Sequence, residues 1–383
     1  MKITALIKAL LYETLTTAFT IPRMPVDGPC TAQYDLSTTG EYPTFVELDS
    51  PKLSCINDRS FDWWGWDVIS SQNYNVCLTI GTLAQLPVKV PGMYGEETSR
   101  ESMTVLTNFI WITTAEGHHQ HFYASGTGAT IDRTERGLIG EWAGSGFSWE
   151  IDDVLDIHTV RVDSKELDIR GELRIESSTP PNLPCLSPFN RNFSTKVNPD
   201  FAWVSPIPYG RATVNMFIQG ERLWYQGFGY HDRMWAESKI PTFTRSWNTG
   251  RARLGAYTVV WAKYITPEGH ESSHAYIARN GQVLTSGCGP GILTVKNIAT
   301  GETLEGMEVT IPIPDGEFRL TARTRAILVS VGKTTRTTGS FVAEVYGERV
   351  EGVGIFEEYV PVDEGTGEVR GTPGGNARYH DEL

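Results

Sequence analysis

The chain has 383 residues, of which 40% are hydrophobic and 21% are charged, and its formal net charge is −13. This composition is typical of a globular protein long enough for two domains. The negative charge, without a Lys/Arg-rich cluster, argues against a nucleic-acid partner, because neutralising phosphates requires basic side chains. No run reaches about 18 uncharged apolar residues, so the sequence predicts no transmembrane segment.

Residues 1–22 combine a basic start with many apolar residues, a pattern typical of a signal peptide. Lys8 and Glu13 interrupt the apolar run, so an amphipathic N-terminal helix is the alternative. Outside residues 3–17 helical periodicity is scarce. Most other segments alternate apolar and polar residues between turn residues, and Asn280-Gly281 is typical of a hairpin turn. The predicted fold class is therefore all-β, with barrels or sandwiches.

An aromatic segment, FDWWGWDVIS, begins at residue 61. On a strand, Asp62, Trp64 and Trp66 share one face, while Trp63 and Asp67 lie on the other. A carboxylate beside two indole rings can anchor a polar group while the rings contact hydrocarbon. We therefore predict Asp62 as a catalytic residue and Trp64 and Trp66 as substrate-binding residues. The alternative is that the rings fill the interior of a barrel.

Two histidine patterns in the sequence are compatible with metal binding. His119 and His121 follow His118 and could share a strand face, but a solvated hairpin rim is the preferred interpretation. Residues 270–274 match the H-E-x-x-H motif, which binds zinc on a helix. Here the segment has strand character, and on a strand its two histidines would lie about 13 Å apart. The sequence therefore predicts no metal site.

Residues 177–200 are rich in Pro, Ser and Asn and read as a connector. We predict an N-terminal β domain over 23–185 and a C-terminal β domain over 186–367. The five cysteines allow two disulfides and one free thiol in an oxidising compartment, with the pairing left open. Asn192 begins a glycosylation sequon, which matters only if the chain enters the secretory pathway.

The segment from Gly227 to Trp261 concentrates aromatic and ionisable residues between strand-like flanks. Alternation places Tyr230 with Asp232 on one face and His231 on the other. His231 could act as an acid–base group, or it could be a buried structural histidine. Asp232 is a second catalytic candidate, with a structural ion pair to Arg233 or Arg251 as its alternative. Pocket-wall candidates complete the segment: Tyr230, Trp235, Trp247, Tyr257 and Trp261.

Residues 368–383 are Gly-rich and end in the letters HDEL, and we predict that they form a flexible tail. This ending is an address for retention in the endoplasmic reticulum. Together with the N-terminal segment, it predicts the endoplasmic reticulum lumen or the secretory pathway, with a retention receptor as a partner. A cytoplasmic location is the alternative.

The segment that contains GYHD, WNTGR and Gly255–Trp261 resembles the fungal Diels–Alderase family, which is itself similar to bacterial carotenoid 1,2-hydratases. The resemblance implies two lipocalin-like β domains with the substrate bound within or between them. It also implies that Phe356 and Asn248 bind substrate, Asn248 at a position where the family commonly has an aromatic residue, and that Glu357 is a catalytic carboxylate of the pocket. Four further segments match in the same order: residues 62–67, 178–185, 197–210 and 352–359.

The predicted function is that of a pericyclase catalysing a Diels–Alder or hetero-Diels–Alder [4+2] cycloaddition. The GxSxG, GxGxxG and P-loop motifs are absent from the sequence, so we expect no cofactor. The expected partner is a hydrophobic small molecule, either a polyene or a quinone methide with an alkene. Two alternatives remain: a hydratase or isomerase using His231 and Asp232, and a non-catalytic lipocalin-like carrier.

Overall fold

A computed structural model describes residues 18–37, 42–84, 105–185, 192–300, 303–331 and 334–359. The predicted signal peptide, apart from residues 18–22, and the HDEL tail lie outside these ranges. Among the described residues, no helix is long and apolar enough to cross a membrane. The two helices are short: α1 (Phe45–Asp49) and α2 (Ile240–Phe243). The predicted all-β class is confirmed.

Thirteen strands of the described chain form the first sheet. Their pairing order is β1-β7-β8-β9-β10-β11-β14-β15-β3-β4-β5-β6, with β13 added beside β14, and every pair is antiparallel. The strands are β1 (Ala18–Ile21), β3 (Phe61–Ser70), β4 (Cys77–Ala84), β5 (Leu106–Thr113), β6 (His119–Ser125), β7 (Gly128–Arg133), β8 (Gly137–Ala143), β9 (Phe147–Asp152), β10 (Ile157–Ser164), β11 (Ile169–Ser177), β13 (Lys196–Asn198), β14 (Phe201–Ile218) and β15 (Glu221–Ala236).

Nine strands of the described chain form the second sheet, in the order β19-β18-β17-β16-β24-β23-β22-β21-β20. A separate pair joins β2 (Asp35–Ser37) to β12 (Asn192–Ser194). The strands of the second sheet are β16 (Ser246–Leu254), β17 (Tyr257–Ile265), β18 (Glu271–Arg279), β19 (Gln282–Cys288), β20 (Thr294–Thr300), β21 (Thr303–Ile313), β22 (Gly316–Val331), β23 (Thr334–Val345) and β24 (Glu348–Tyr359).

Each sheet curls around its own aromatic core. In the first sheet, the Trp64 ring on β3 lies 5.5 Å from that of Trp142 on β8, although these strands are far apart in the pairing order. In the second sheet, Tyr257 on β17 lies 5.5 Å from Phe318 on β22. These contacts require the sheets to bend into half-barrels, because rings on a flat sheet could not meet across so many strands.

A third apolar cluster lies between the two sheets and joins strands of the first sheet to β17 and β18 of the second. It includes Phe61, Phe201, Tyr230, Tyr264 and Tyr276. Strand β3 is therefore buried along almost its whole length, with one face towards its own barrel and the other towards the second sheet. This double burial explains why the segment around residues 61–70 is so aromatic.

The boundary predicted between residues 185 and 186 does not match the boundary between the sheets. Strands β14 and β15 pair with β11 and β3 and so extend the first sheet to residue 236. The composition of the connector could not reveal that the next hairpin returns to the first sheet. That pairing is decided by contacts between residues distant in sequence.

The cysteines form two disulfides, Cys30–Cys55 and Cys185–Cys288, and Cys77 is a buried free thiol. The predicted count of two bridges and one thiol is confirmed. Burial raises the pKa of Cys77 to about 12, so its thiol stays protonated.

Gly250 provides a test of the packing inside the second barrel. A Cβ atom at this position would lie 2.1 Å from Cζ2 of Trp261. We expect Gly250→Ala to lower the free energy of unfolding by about 1–3 kcal/mol through overpacking. Urea denaturation measures this change, with Gly316→Ala as the control because a Cβ atom there meets nothing within 4 Å. Equal stability of the two variants would contradict the tight packing.

Candidate functional site

Strand β15 carries two different sets of functional side chains. Its alternation directs Tyr230 towards the second sheet, whereas His231, Arg233 and Trp235 enter the first barrel. Asp232, which bonds to Tyr230, is only partly buried. The GYHD motif therefore contributes to two sites.

The first site, here called the inter-sheet cluster, is a continuous set of contacts across the space between the sheets. Strands β3, β14 and β15 of the first sheet and β16, β23 and β24 of the second provide its members. The inter-sheet cluster consists of Asp67, Trp203, Tyr230, Asp232, Trp247, Arg251, Arg336 and Glu357.

One half of the cluster is charged. Both Asp67 oxygens accept from Arg336 Nη2 at 2.7 Å, and Asp67 also pairs with Arg251. Arg336 Nη1 also donates to Glu357 Oε2 at 3.4 Å. The other oxygen of Glu357, Oε1, accepts from Trp247 Nε1 at 2.8 Å. The side chains of Arg251, Arg336 and Glu357 remain 13%, 15% and 20% exposed. Charged groups between the two sheets thus keep partial access to solvent.

The other half is organised around Asp232. Its Oδ2 accepts from Trp203 Nε1 at 3.0 Å and from the Tyr230 hydroxyl at 3.2 Å. Ser205 lies 2.8 Å from the same hydroxyl. Within the described residues, Oδ1 of Asp232 accepts no hydrogen bond. This oxygen lies next to Gly65, since a Cβ atom added to Gly65 would be 2.9 Å from it. One carboxyl oxygen is therefore fixed by two donors, and the other has no hydrogen-bond donor among the described residues.

Burial, the largest influence on the Asp232 carboxyl, raises its pKa. The hydrogen bonds from Trp203 and Tyr230 and the charges of Arg336 and His231 all act in the opposite direction without cancelling this effect. A carboxyl with a raised pKa keeps its proton to higher pH and can donate a hydrogen bond. Arg251 stacks 3.9 Å from the Tyr230 ring.

The second site is a network of charges inside the first barrel. His231 Nε2 lies 2.7 Å from Asp49 Oδ1, and its Nδ1 lies 2.8 Å from the Gly65 carbonyl. Both ring nitrogens are therefore within hydrogen-bond distance of an oxygen atom. Arg233 pairs with Asp62 and lies 3.8 Å from Asp49. Burial raises the pKa of Asp49, but His231, His158 and Arg233 outweigh it and hold the pKa below its usual value.

Asp49, His158 and His231 bring three potential metal ligands within 4.8 Å of one another. Burial lowers the pKa of His158 to about 3, so its ring is neutral. Trp66 Nε1 donates to His158 Nδ1 at 3.4 Å, which leaves the ring proton on Nε2, the nitrogen a metal ion would need. The nearby Arg233 also opposes a cation. The arrangement fits a buried ion-pair network and does not fit a metal centre.

The structure separates the predicted site residues into three groups. Tyr230, Asp232, Trp247 and Glu357 meet in the inter-sheet cluster. The second group lies inside the first barrel and does not line that cluster: Asp62, Trp64, Trp66, His231 and Trp235. The third belongs to the second barrel, where Tyr257, Trp261 and Phe356 are core residues and Asn248 bonds to Asn297.

The physical reason for this separation is the period of a strand. Asp62, Trp64 and Trp66 were correctly predicted to share a face, but that face is turned towards the barrel interior, and the opposite face carries Asp67 to the cluster. His274 of the H-E-x-x-H match lies on strand β18, so the helical zinc motif is excluded. His119 and His121 are exposed on β6, in agreement with a hairpin rim.

Sequence reasoning missed Trp203, Ser205 and Arg336. Trp203 and Ser205 stand in the segment 197–210, which carried part of the family resemblance without any single residue being selected. Arg336 lies in a Thr-rich strand with no motif around it. A pattern search could not have found it, because its role depends on the pairing of β23 with β24.

Comparison with known proteins agrees with this architecture. Crystal structures of CghA superpose with a TM-score of 0.70 at 14% identity, covering 90% of this chain and 98% of CghA. Kievitone hydratase from Nectria haematococca has a TM-score of 0.51 at 14% identity, covering 89% and 98%. These likenesses show the lipocalin-like fold that was expected for both halves.

Sequence comparison adds more similar relatives. The quinolone epoxide rearrangement protein asqO of Emericella nidulans is 27% identical over 264 residues, covering 65% of this chain and 67% of asqO. The Diels-Alderase cheD of Chaetomium globosum is 23% identical over 257 residues, covering 64% and 58%. The family model described as Diels-Alderase-like matches residues 41–288. The chain therefore belongs to the Diels-Alderase-like family, which supports an enzyme with a cyclase role.

Proposed function

We propose that the chain catalyses a [4+2] cycloaddition in the space around the inter-sheet cluster, without a cofactor. The observation that carries this proposal is Asp232, a carboxyl with one oxygen held by Trp203 and Tyr230 and the other without a hydrogen bond from the part of the chain that the structure describes. A Diels–Alder reaction converts two π bonds into two σ bonds and transfers no proton. Its catalyst needs a shaped space and a hydrogen-bond donor to the activating carbonyl.

The proposed division of labour follows from the positions of the side chains. Protonated Asp232 donates from Oδ1 to a carbonyl conjugated with the dienophile or heterodiene, which lowers the barrier electrostatically. Trp247 and Tyr230 provide flat apolar walls that orient the carbon skeleton. Orientation alone supplies up to ~7–11 kcal/mol in favourable intramolecular models. The substrate is a polyene, or a quinone methide with an alkene.

A hydratase or isomerase that uses His231 is less well supported. Both nitrogens of His231 are engaged by Asp49 and Gly65, and the ring is buried in the first barrel behind the strand. A non-catalytic carrier would not need an acid with a raised pKa among fixed donors. Turnover of a synthetic triene that carries a conjugated ketone, incubated with the purified chain, separates catalyst from carrier.

A second candidate function is an acid-assisted rearrangement, favoured by the raised pKa of Asp232 and by the relative asqO, named a quinolone epoxide rearrangement protein. In that reaction Asp232 would transfer its proton to an epoxide oxygen as the C–O bond breaks, and would recover a proton as the product forms. The two candidates differ in whether the proton leaves Asp232.

The two disulfides support the proposal that the chain works in the endoplasmic reticulum lumen or elsewhere in the secretory pathway. A retention receptor that reads the HDEL ending would then be a partner. Microscopy of the full chain, with and without its last four residues, tests this location.

Asp232→Asn and Asp232→Leu test the acid. For a cycloaddition, we expect Asp232→Asn to keep most of the rate because its amide can still donate, and Asp232→Leu to lose roughly 10²–10³-fold. For a rearrangement by proton transfer, both variants would lose activity. Rates are measured by product formation with each substrate class. Full activity of Asp232→Leu with both classes would remove Asp232 from the site.

The pH dependence has a defined sign. In this proposal the protonated form of Asp232 is the active one, and the pKa of the carboxyl is raised. The wild-type rate should therefore be highest at low pH and fall as pH rises through that pKa. For a cycloaddition, Asp232→Asn should give a flat profile over the same range. A wild-type rate that increases with pH would contradict the role of a protonated Asp232.

Trp247→Ala and Trp66→Ala separate the site from the barrel core. We expect Trp247→Ala to lose ring formation or stereocontrol while the protein remains folded. Trp66 is fully buried, so Trp66→Ala should instead lower the free energy of unfolding by about 3–5 kcal/mol. Trp224→Ala is the control, since Trp224 is 53% exposed. The assignment fails if Trp247→Ala keeps both product ratio and rate.

A further inference from the structure

The segment Ser177–Cys185, here called the strap, passes between the two sheets beside the inter-sheet cluster. Asn182 forms a two-way backbone bridge with Ser205 of β14, with N···O distances of 2.9 and 3.0 Å. On the other side, the carbonyl of Pro180 accepts from the Tyr276 hydroxyl of β18 at 2.8 Å. The strap is therefore attached to both sheets.

A covalent bond fixes the end of the strap. Cys185 is joined to Cys288, the last residue of β19, and the bridge closes a separation of 103 residues. Within the same stretch, Ser286 donates to the Leu183 carbonyl at 3.3 Å. The disulfide thus holds the strap against the second sheet next to the point where Asn182 inserts.

Contacts of the Asn182 side chain connect the strap to Asp232 through His274 and Trp203. It is fully buried, and its Nδ2 lies 3.3 Å from Nε2 of His274. Burial lowers the pKa of His274 to about 3, so the ring is neutral and Nε2 accepts. The His274 ring packs edge-on against Trp203, with centroids 4.9 Å apart, and Trp203 Nε1 donates to Asp232.

A second set of contacts connects Asn182 to Asp232. Ser205, whose backbone is bridged by Asn182, lies 2.8 Å from the Tyr230 hydroxyl, which also bonds to Asp232. Both groups that hold Oδ2 of Asp232 are therefore connected to one residue of the strap. No direct contact between Asn182 and Asp232 is required.

We propose that Asn182 and His274 are positioning residues for Asp232, and that the Cys185–Cys288 disulfide maintains this function by holding the strap in place. The catalytic consequence rests on the proposed function of Asp232. The geometric consequence, the placement of Trp203 against Asp232, does not. An unbridged chain should fold with Asp232 less well fixed and its reaction slower.

The geometric test is ¹⁹F NMR of protein labelled with 5-fluorotryptophan, with the Trp203 resonance assigned by its loss in Trp203→Phe. We expect this resonance to shift or split in Asn182→Ala and in Cys185→Ser/Cys288→Ser. It should keep its position in the matched control Cys30→Ser/Cys55→Ser, which removes the other disulfide. An unmoved Trp203 resonance in Asn182→Ala overturns the proposal.

The kinetic test uses the same variants and the substrate class that the wild type turns over. We expect Asn182→Ala and Cys185→Ser/Cys288→Ser to lose roughly 10–10²-fold in kcat with a small change in KM, as misplacement of a reacting group does. Cys30→Ser/Cys55→Ser should keep its kcat. A disulfide variant that matches this control in both rate and spectrum contradicts the role of the bridge.

Two variants of His274 test the proposal even if the disulfide variant does not fold. His274→Gln retains an oxygen that can accept from Asn182, so it should restore much of the activity and of the Trp203 resonance that His274→Leu loses. Equal effects of both variants would indicate a packing role only and overturn the positioning role. If Asp232→Leu proves fully active, the proposed function fails, while the resonance still reports on the strap.

Discussion

The structure depends on strands that are buried on both faces. Strands β3 and β15 pair with each other, and each contributes one face to the first barrel and one face to the contact with the second sheet. Successive side chains on such strands enter different environments. This constraint places His231 among buried charges and the adjacent Asp232 in the candidate site, with only the strand backbone between them.

Buried charge is tolerated on both sides because it is paired. In the first barrel, Arg233 pairs with Asp62 and lies 3.8 Å from Asp49, which also contacts His231. Between the sheets, Asp67 bridges Arg251 and Arg336 and so connects strands that belong to different sheets. Removing one partner of such a pair leaves an uncompensated charge, which is strongly destabilising. These ion pairs hold the two half-barrels in one relative placement, and the geometry of the candidate site follows from that placement.

Asp232 differs from these ions because it is held by neutral donors. Trp203 and Tyr230 fix one oxygen, and the net effect of its surroundings is a raised pKa. In the proposed function, this carboxyl serves a cycloaddition as a hydrogen-bond donor or a rearrangement as a proton donor. Membership of the family therefore limits the reaction class, and the fate of the Asp232 proton separates the two candidates.

From the sequence alone, alternation predicted an all-β chain, and the pairing of Tyr230 with Asp232 and of Trp64 with Trp66 on common faces, because side-chain direction on a strand is a local property. Short motifs in a fixed order were enough to predict the family and the lipocalin-like fold. Which face of β3 and β15 meets the second sheet was decided only by the tertiary structure. So were the return of β14 and β15 to the first sheet and the recruitment of Arg336 and Asn182. Each of these depends on contacts between residues far apart in the chain, and no local pattern encodes them.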